Sequence, residues 1–85
     1  MRSFMYTIKT PVGLHARHAA LLMREVSLYQ SAVTVRAHDK TANARRLLAL
    51  MGLGIKQGDV VTIEVEGPDE DAAALKLKAF LWMNF

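Results

Sequence analysis

From Val60 to Glu66 the chain alternates, with Val61, Ile63 and Val65 on one side of an extended backbone and Thr62, Glu64 and Glu66 on the other. A period of two with this polarity predicts a β-strand that has one dry face and one wet face. A sheet built on such a strand is covered on one side only, so the helices of the chain have to share that side. Gly67 and Pro68 end the strand.

Three more segments read as strands. Phe4, Tyr6 and Ile8 alternate with Ser3, Met5 and Thr7; Ser31 to Ala37 places Val33 and Val35 inward; and His38-Asp39-Lys40 forms a hairpin turn into Thr41 to Ala44. His38 is read as a turn residue. Three segments read as helices. From Ala16 to about Leu28, Ala19, Leu22, Met23, Val26 and Tyr29 recur at spacings of three and four. Arg46 to Leu53 makes about two turns, stopped by Gly52 and Gly54. Ala72 to Asn84 follows the acidic Asp69-Glu70-Asp71, with Ala73, Leu77, Phe80, Leu81 and Asn84 on one face. Leu75, Trp82 and Phe85 are left off that face, which marks a surface for self-association. The order β-α-β-β-α-β-α gives an α+β open-faced sandwich: a four-stranded, mostly antiparallel sheet with three helices on one face. One domain over residues 1–85 is expected, because 52% hydrophobic residues suffice for a single core without crosslinks.

Several function classes are excluded or demoted. There is no cysteine, so thiol chemistry and thiolate metal sites are out. The longest apolar runs, Leu47 to Met51 and Ala79 to Met83, fall far short of the ~20 residues that span a membrane. MRSFMYTIKT lacks the features of a secretory signal, so a cytoplasmic location is expected. The net charge of +3 is unevenly spread: residues 1–58 hold nine lysines and arginines against two acids, and residues 59–85 hold two against six. The basic part suits an acidic partner or a phosphorylated ligand. Nucleic acid ranks far behind, since Val33, Val35 and Arg36 occupy the second strand and no aromatic residue lies between residues 30 and 79.

The basic part contains the stretch GLHARHAA, residues 13–20. If the helix starts at Ala16, His15 is its N-cap and Arg17 lies in its first turn. Backbone N–H groups there have no intrahelical partner, and with the positive end of the helix dipole they favour an anion. Neutral imidazole is nucleophilic near neutral pH, so His15 is a candidate to hold a phosphoryl group covalently. Arg17 is a candidate to stabilise it, and the N–H groups of Ala16, Arg17 and His18 to cradle it. The plain alternative is an ordinary capping histidine. A metal held by His15 and His18 is a thin reading without a carboxylate or cysteine nearby in sequence, and neither a metal nor a cofactor is expected.

GLHAR before an apolar helix resembles the active-site signature of HPr, the histidine-containing phosphocarrier of the bacterial phosphoenolpyruvate-dependent sugar phosphotransferase system. The likeness extends through the element order, the Leu53-Gly54-Ile55 stretch with Gly58, and the acidic start of the last helix. The resemblance implies a stoichiometric carrier that takes a phosphoryl group from Enzyme I and passes it to the A domains of sugar permeases. It implies a docking face for both partners on the first two helices, with Ala20, Arg24, Arg46, Leu47, Leu48 and Met51 as contacts. Two positions depart from the family. His18 stands where the motif usually has proline, and Arg46 stands where many members carry a regulatory serine. The second departure means that serine regulation does not transfer, and both give weight to an alternative, a regulatory binding protein with no transport role.

Overall fold

The computed structural model describes residues 1–85 and gives β1 (Arg2–Thr7), α1 (Ala16–Val26), β2 (Ala32–Ala37), β3 (Lys40–Asn43), α2 (Leu47–Met51), β4 (Val60–Glu66) and α3 (Glu70–Asn84). The strands form one sheet in the order β1-β4-β2-β3, and every pairing is antiparallel. The alternating strand is therefore internal, flanked by β1 and β2. Ile63 lies opposite Phe4 on one side and Val35 on the other, while Val65 lies opposite Val33. Directly opposed residues share a face, so these side chains build one apolar layer. Val61, Ile63 and Val65 are all buried, each contributing about 1.5–3 kcal/mol by leaving water. Thr34, Arg36, Thr62 and Glu64 occupy the other face, where the Arg36 guanidinium meets Glu64 at 3.2 Å.

Against the dry face pack Ala19, Leu22 and Val26 of α1, Leu50 of α2, and Ala73, Leu77 and Leu81 of α3. The β2–β3 hairpin closes between Ala37 and Lys40, leaving His38 and Asp39 as a two-residue turn with φ of 53° and 61°. Primed turns of this kind follow the twist of the strands they join. Strand β3 thus starts one residue earlier than the alternation suggested.

Helix α1 stops at Val26, short of Leu28. The Ser27 hydroxyl donates to the Arg24 carbonyl at 2.6 Å, and the guanidinium of Arg45 donates to the carbonyls of Tyr29 at 2.6 Å, Ser31 at 3.1 Å and Val26 at 3.3 Å. These side chains take up carbonyls that the helix end leaves free. Helix α3 begins at Glu70, two residues before Ala72, and its capping residue Asp69 does not cap it. The Asp69 carboxylate instead accepts from the backbone N–H groups of Gln30 and Ser31, both at 2.9 Å, and from the Ser31 hydroxyl. Those donors, the hydroxyl first, hold its pKa below the usual carboxylate range.

The end of α3 corrects the sequence reading. Leu75 and Trp82 are exposed as expected, at 72% and 69%, but Phe85 is buried at 4%. Its ring meets Phe80 edge to face at 5.8 Å between centroids, and its carbonyl accepts the N–H groups of Lys9 and Thr10. Those contacts fold the chain end under α3 after the helix pattern has stopped. Asn84, placed on the apolar face by its spacing, is exposed, and its amide donates to the Phe80 carbonyl at 2.9 Å.

Candidate functional site

The loop before α1 is held against the chain between α2 and β4. Gly13 has φ of +67°, and a Cβ there would run into the Ile55 carbonyl and Lys56 Cα. Only glycine fits both the conformation and the approach. Leu14 then donates its N–H to the same Ile55 carbonyl at 3.1 Å and buries its side chain. The next residue, His15, leaves this anchored loop extended, with φ of −103° and ψ of −169°.

His15 is the N-cap of α1: its carbonyl accepts the first helical bond, from the Ala19 N–H at 2.8 Å. Its imidazole is exposed and makes no capping bond. The N–H groups of Ala16, Arg17 and His18 therefore come too early in the helix for a carbonyl four residues back, and they point out of its N-terminus. No acidic residue lies in this first turn to occupy them. Such a set of donors, with the helix dipole behind it, is an anion site.

The arginines divide into two groups. Arg2 is paired with Asp71, Arg36 with Glu64, and Arg45 with backbone carbonyls. Arg17, Arg24 and Arg46 are exposed and belong to none of the four ion pairs. Arg17 and Arg24 are seven residues apart on α1, which puts them on one side of the helix. Arg46 is the N-cap of α2, which packs beside α1. It makes no side-chain cap; the Asn43 side chain accepts the Arg45 N–H at 2.9 Å just before it. On the same two helices Leu48 is 81% exposed and Met51 37% exposed, while Ala20 and Leu47 are half-buried. The sequence-predicted residues thus lie on α1 and on the neighbouring α2, each exposed or half-buried, with Arg17, Arg24 and Arg46 in no ion pair.

His18 turns inward. Its ring sits edge-on to that of His15, with centroids 5.2 Å apart and planes at 80°, and tilts against Phe85 at 5.3 Å. Its Nδ1 is buried without a partner. Burial, then the neighbouring His15 and Arg17, lower its basicity. The fold holds no cluster of three or more His, Cys, Asp or Glu side chains placed to ligate a metal. Sequence reasoning missed the contact of His18 with Phe85 and the clamp made by Arg45. Neither residue belongs to a repeating pattern, so no periodicity could have revealed it.

Comparison with known proteins bears on this arrangement. Residues 2–82 match the family model described as the PTS HPr component phosphorylation site. The chain is 41% identical over 81 residues to the phosphocarrier protein HPr of Lysinibacillus sphaericus, covering 95% of this chain and 92% of that protein. A crystal structure of HPr-C-His from Thermoanaerobacter tengcongensis matches with a TM-score of 0.93 at 36% identity, over 100% of this chain and 96% of that one. A crystal structure of an HPr dimer from the same organism matches with a TM-score of 0.75 at 36% identity, over 98% and 95%. Sequence and backbone agree from the first strand to the last helix, in the same element order that places His15 at the start of α1, and the chain therefore belongs to the HPr family of phosphotransferase-system phosphocarriers.

Proposed function

We propose that this chain, acting as one domain over residues 1–85, relays a phosphoryl group in the cytoplasm from phosphorylated Enzyme I to the A domain of a sugar-specific permease, with His15 as the phosphoacceptor. The observation that carries the reading is the start of α1, where an exposed imidazole stands beside N–H groups with no helical partner and an arginine with no carboxylate. An unprotonated nitrogen of His15, the one nearer the backbone, attacks phosphorus. The bond between phosphorus and the donor breaks, and its electron pair stays with the donor. Phosphoryl transfer is mostly positioning and charge stabilisation, so the helix N–H groups and Arg17 suffice on the carrier side. No cofactor is required.

Both partners need the same histidine, and so they share one docking face. Leu48 and Met51 supply exposed apolar surface, Ala20 and Leu47 its half-buried floor, and Arg24 and Arg46 an unpaired basic rim. That combination suits a partner with an apolar groove and acidic edges. Leu75 and Trp82, exposed on α3, offer a separate surface for self-association.

The test is incubation of the chain with phosphoenolpyruvate and Enzyme I, followed by intact-mass measurement and a check of acid lability. One acid-labile phosphoryl group is expected, and His15→Ala abolishes it. Label that survives His15→Ala and disappears in His18→Ala moves the acceptor to His18. No label on the unmodified chain favours the regulatory alternative.

A further inference from the structure

Residue 18 is unexplained by the relay. An anion site at a helix start needs only its backbone N–H, yet an imidazole stands here with its edge against the phosphoacceptor, centroids 5.2 Å apart. We propose that phosphorylation of His15 is coupled to uptake of a proton by His18, which makes His18 a charge-matching positioning residue for the phosphoryl group. The inference rests on His15 being the acceptor.

The argument starts from the groups that face the ring. On α1 these are His15 and Arg17; at the end of α3 it is Phe85, which offers an uncharged ring and a carbonyl already taken by the N–H groups of Lys9 and Thr10. The Lys9 ammonium is drawn away over the Trp82 ring at 3.9 Å. Before transfer, then, burial and its charged neighbours both favour a neutral His18.

Transfer changes the sign of the largest nearby charge. The bond between phosphorus and the donor breaks as the lone pair of His15 forms the new one; the electron pair stays with the donor, and a PO3⁻ unit adds one net negative charge to His15. No proton is consumed in that exchange. The proton that His18 gains comes from water, and its Nδ1 has no hydrogen bond in the chain to give up. One added negative charge, at a separation on the order of the 5.2 Å between the two ring centroids and at a solvent-like dielectric, raises the titration midpoint of His18 by about half a pH unit. An ionised imidazole then faces the phosphoryl group edge-on. By linkage, this stabilises the phosphorylated carrier fully below the midpoint of the unphosphorylated state. The gain is lost as pH rises through the midpoint of the phosphorylated state.

The experiment is an NMR titration of the histidine ring nitrogens in the full isotope-labelled chain, with and without phosphoenolpyruvate and Enzyme I present to maintain phosphorylation. The His18 midpoint is expected to rise by about half a pH unit. A second measurement follows the phosphoryl equilibrium between Enzyme I and the chain against pH, for the unmodified protein, His18→Pro and His18→Gln. Proline is compatible with the first helical turn, where its missing N–H takes no helical bond. The unmodified chain should show an added pH-dependent preference for the phosphorylated carrier of about fourfold at the acid end, absent from both variants. An unmoved His18 midpoint while His15 carries the phosphoryl group overturns the inference and leaves the relay intact. Superimposable pH profiles for the three proteins do the same. Label retained by His15→Ala removes the acceptor assignment itself, and the inference with it.

Discussion

Arg45 and Arg46 are adjacent, exposed and chemically identical, yet the fold gives them opposite work, and a pair of alanine substitutions separates them. The Arg45 guanidinium donates to the carbonyls of Tyr29, Ser31 and Val26 at 2.6, 3.1 and 3.3 Å, tying the end of α1 and the start of β2 to the β3–α2 junction. The two shorter bonds are the effective ones. At a partly exposed site each is worth about 1 kcal/mol, because water replaces part of what is lost. Arg45→Ala should therefore cost about 2 kcal/mol, which for a chain of this size lowers Tm by about 8–16 °C. Arg46 is in no ion pair and makes no side-chain cap, so Arg46→Ala should leave Tm within about 2 °C and weaken Enzyme I binding. Thermal unfolding of both variants by circular dichroism, with calorimetric titration of Enzyme I, supplies the readouts. Arg45→Lys should recover little, since an ammonium cannot span carbonyls as the planar fork does. Equal Tm losses at the two positions would refute the division, as would an Arg45→Ala protein that melts with the unmodified chain.

Other consequences follow from the same contacts. Arg17→Ala should leave Tm nearly unchanged while slowing phosphoryl transfer by about tenfold or more, read by rapid-quench labelling; a large Tm loss with normal transfer would make Arg17 structural. The pKa of Asp69 is held below its ordinary value by the Ser31 hydroxyl and the Gln30 and Ser31 amides, so its contribution is present above the unfolded-state value and is lost as pH falls through the lower folded one. Ser31→Ala should therefore flatten the acid limb of a plot of stability against pH, and an unchanged limb would remove Asp69 from that role. Gly13→Ala should cost several kcal/mol, because the new Cβ meets the Ile55 carbonyl and Lys56 Cα in a left-handed backbone. A Tm equal to that of the parent would mean that the loop relaxes freely.

The alternation of Val60–Glu66 made the sheet legible because one dry face forces a period of two, and the observed strand has those same bounds. The core face of α1 was legible for the parallel reason. Ala19, Leu22 and Val26 are buried at helical spacing, and the helix begins at Ala16, so the placing of His15 followed from the start of that pattern. What stayed hidden are contacts between residues far apart in sequence that obey no period. Asp69 reads from its position only as one of three acids that favour a helix start, and local rules cannot tell that its carboxylate is more useful to Gln30 and Ser31 across the fold. Phe85 follows the last helical position and so drops out of any helical face. It is buried because the chain end turns under α3 onto Phe80 and His18.

The uneven charge of the chain becomes intelligible once the partners are known. Of the acids in residues 59–85, Asp59 accepts from His38 and the Lys56 N–H, Glu64 from Arg36, Asp69 from Ser31 and Gln30, Glu70 from the Gly67 N–H, and Asp71 from Arg2. These are ties that hold loops and strands, and none reaches the start of α1. The positive surplus of residues 1–58 is thereby left uncompensated at Arg17, Arg24 and Arg46, the arginines on the two helices beside His15. In the proposed relay such a surplus would draw both the incoming phosphoryl group and an acidic docking partner to one small area. Screening acts most strongly on charges that face water, so association should fall steeply with salt while the half-buried hydrogen bonds that tie Asp69 to Ser31 respond less. The charges that serve stability and those that serve transfer are thus separated in space, and raising ionic strength should impair transfer well before it unfolds the protein.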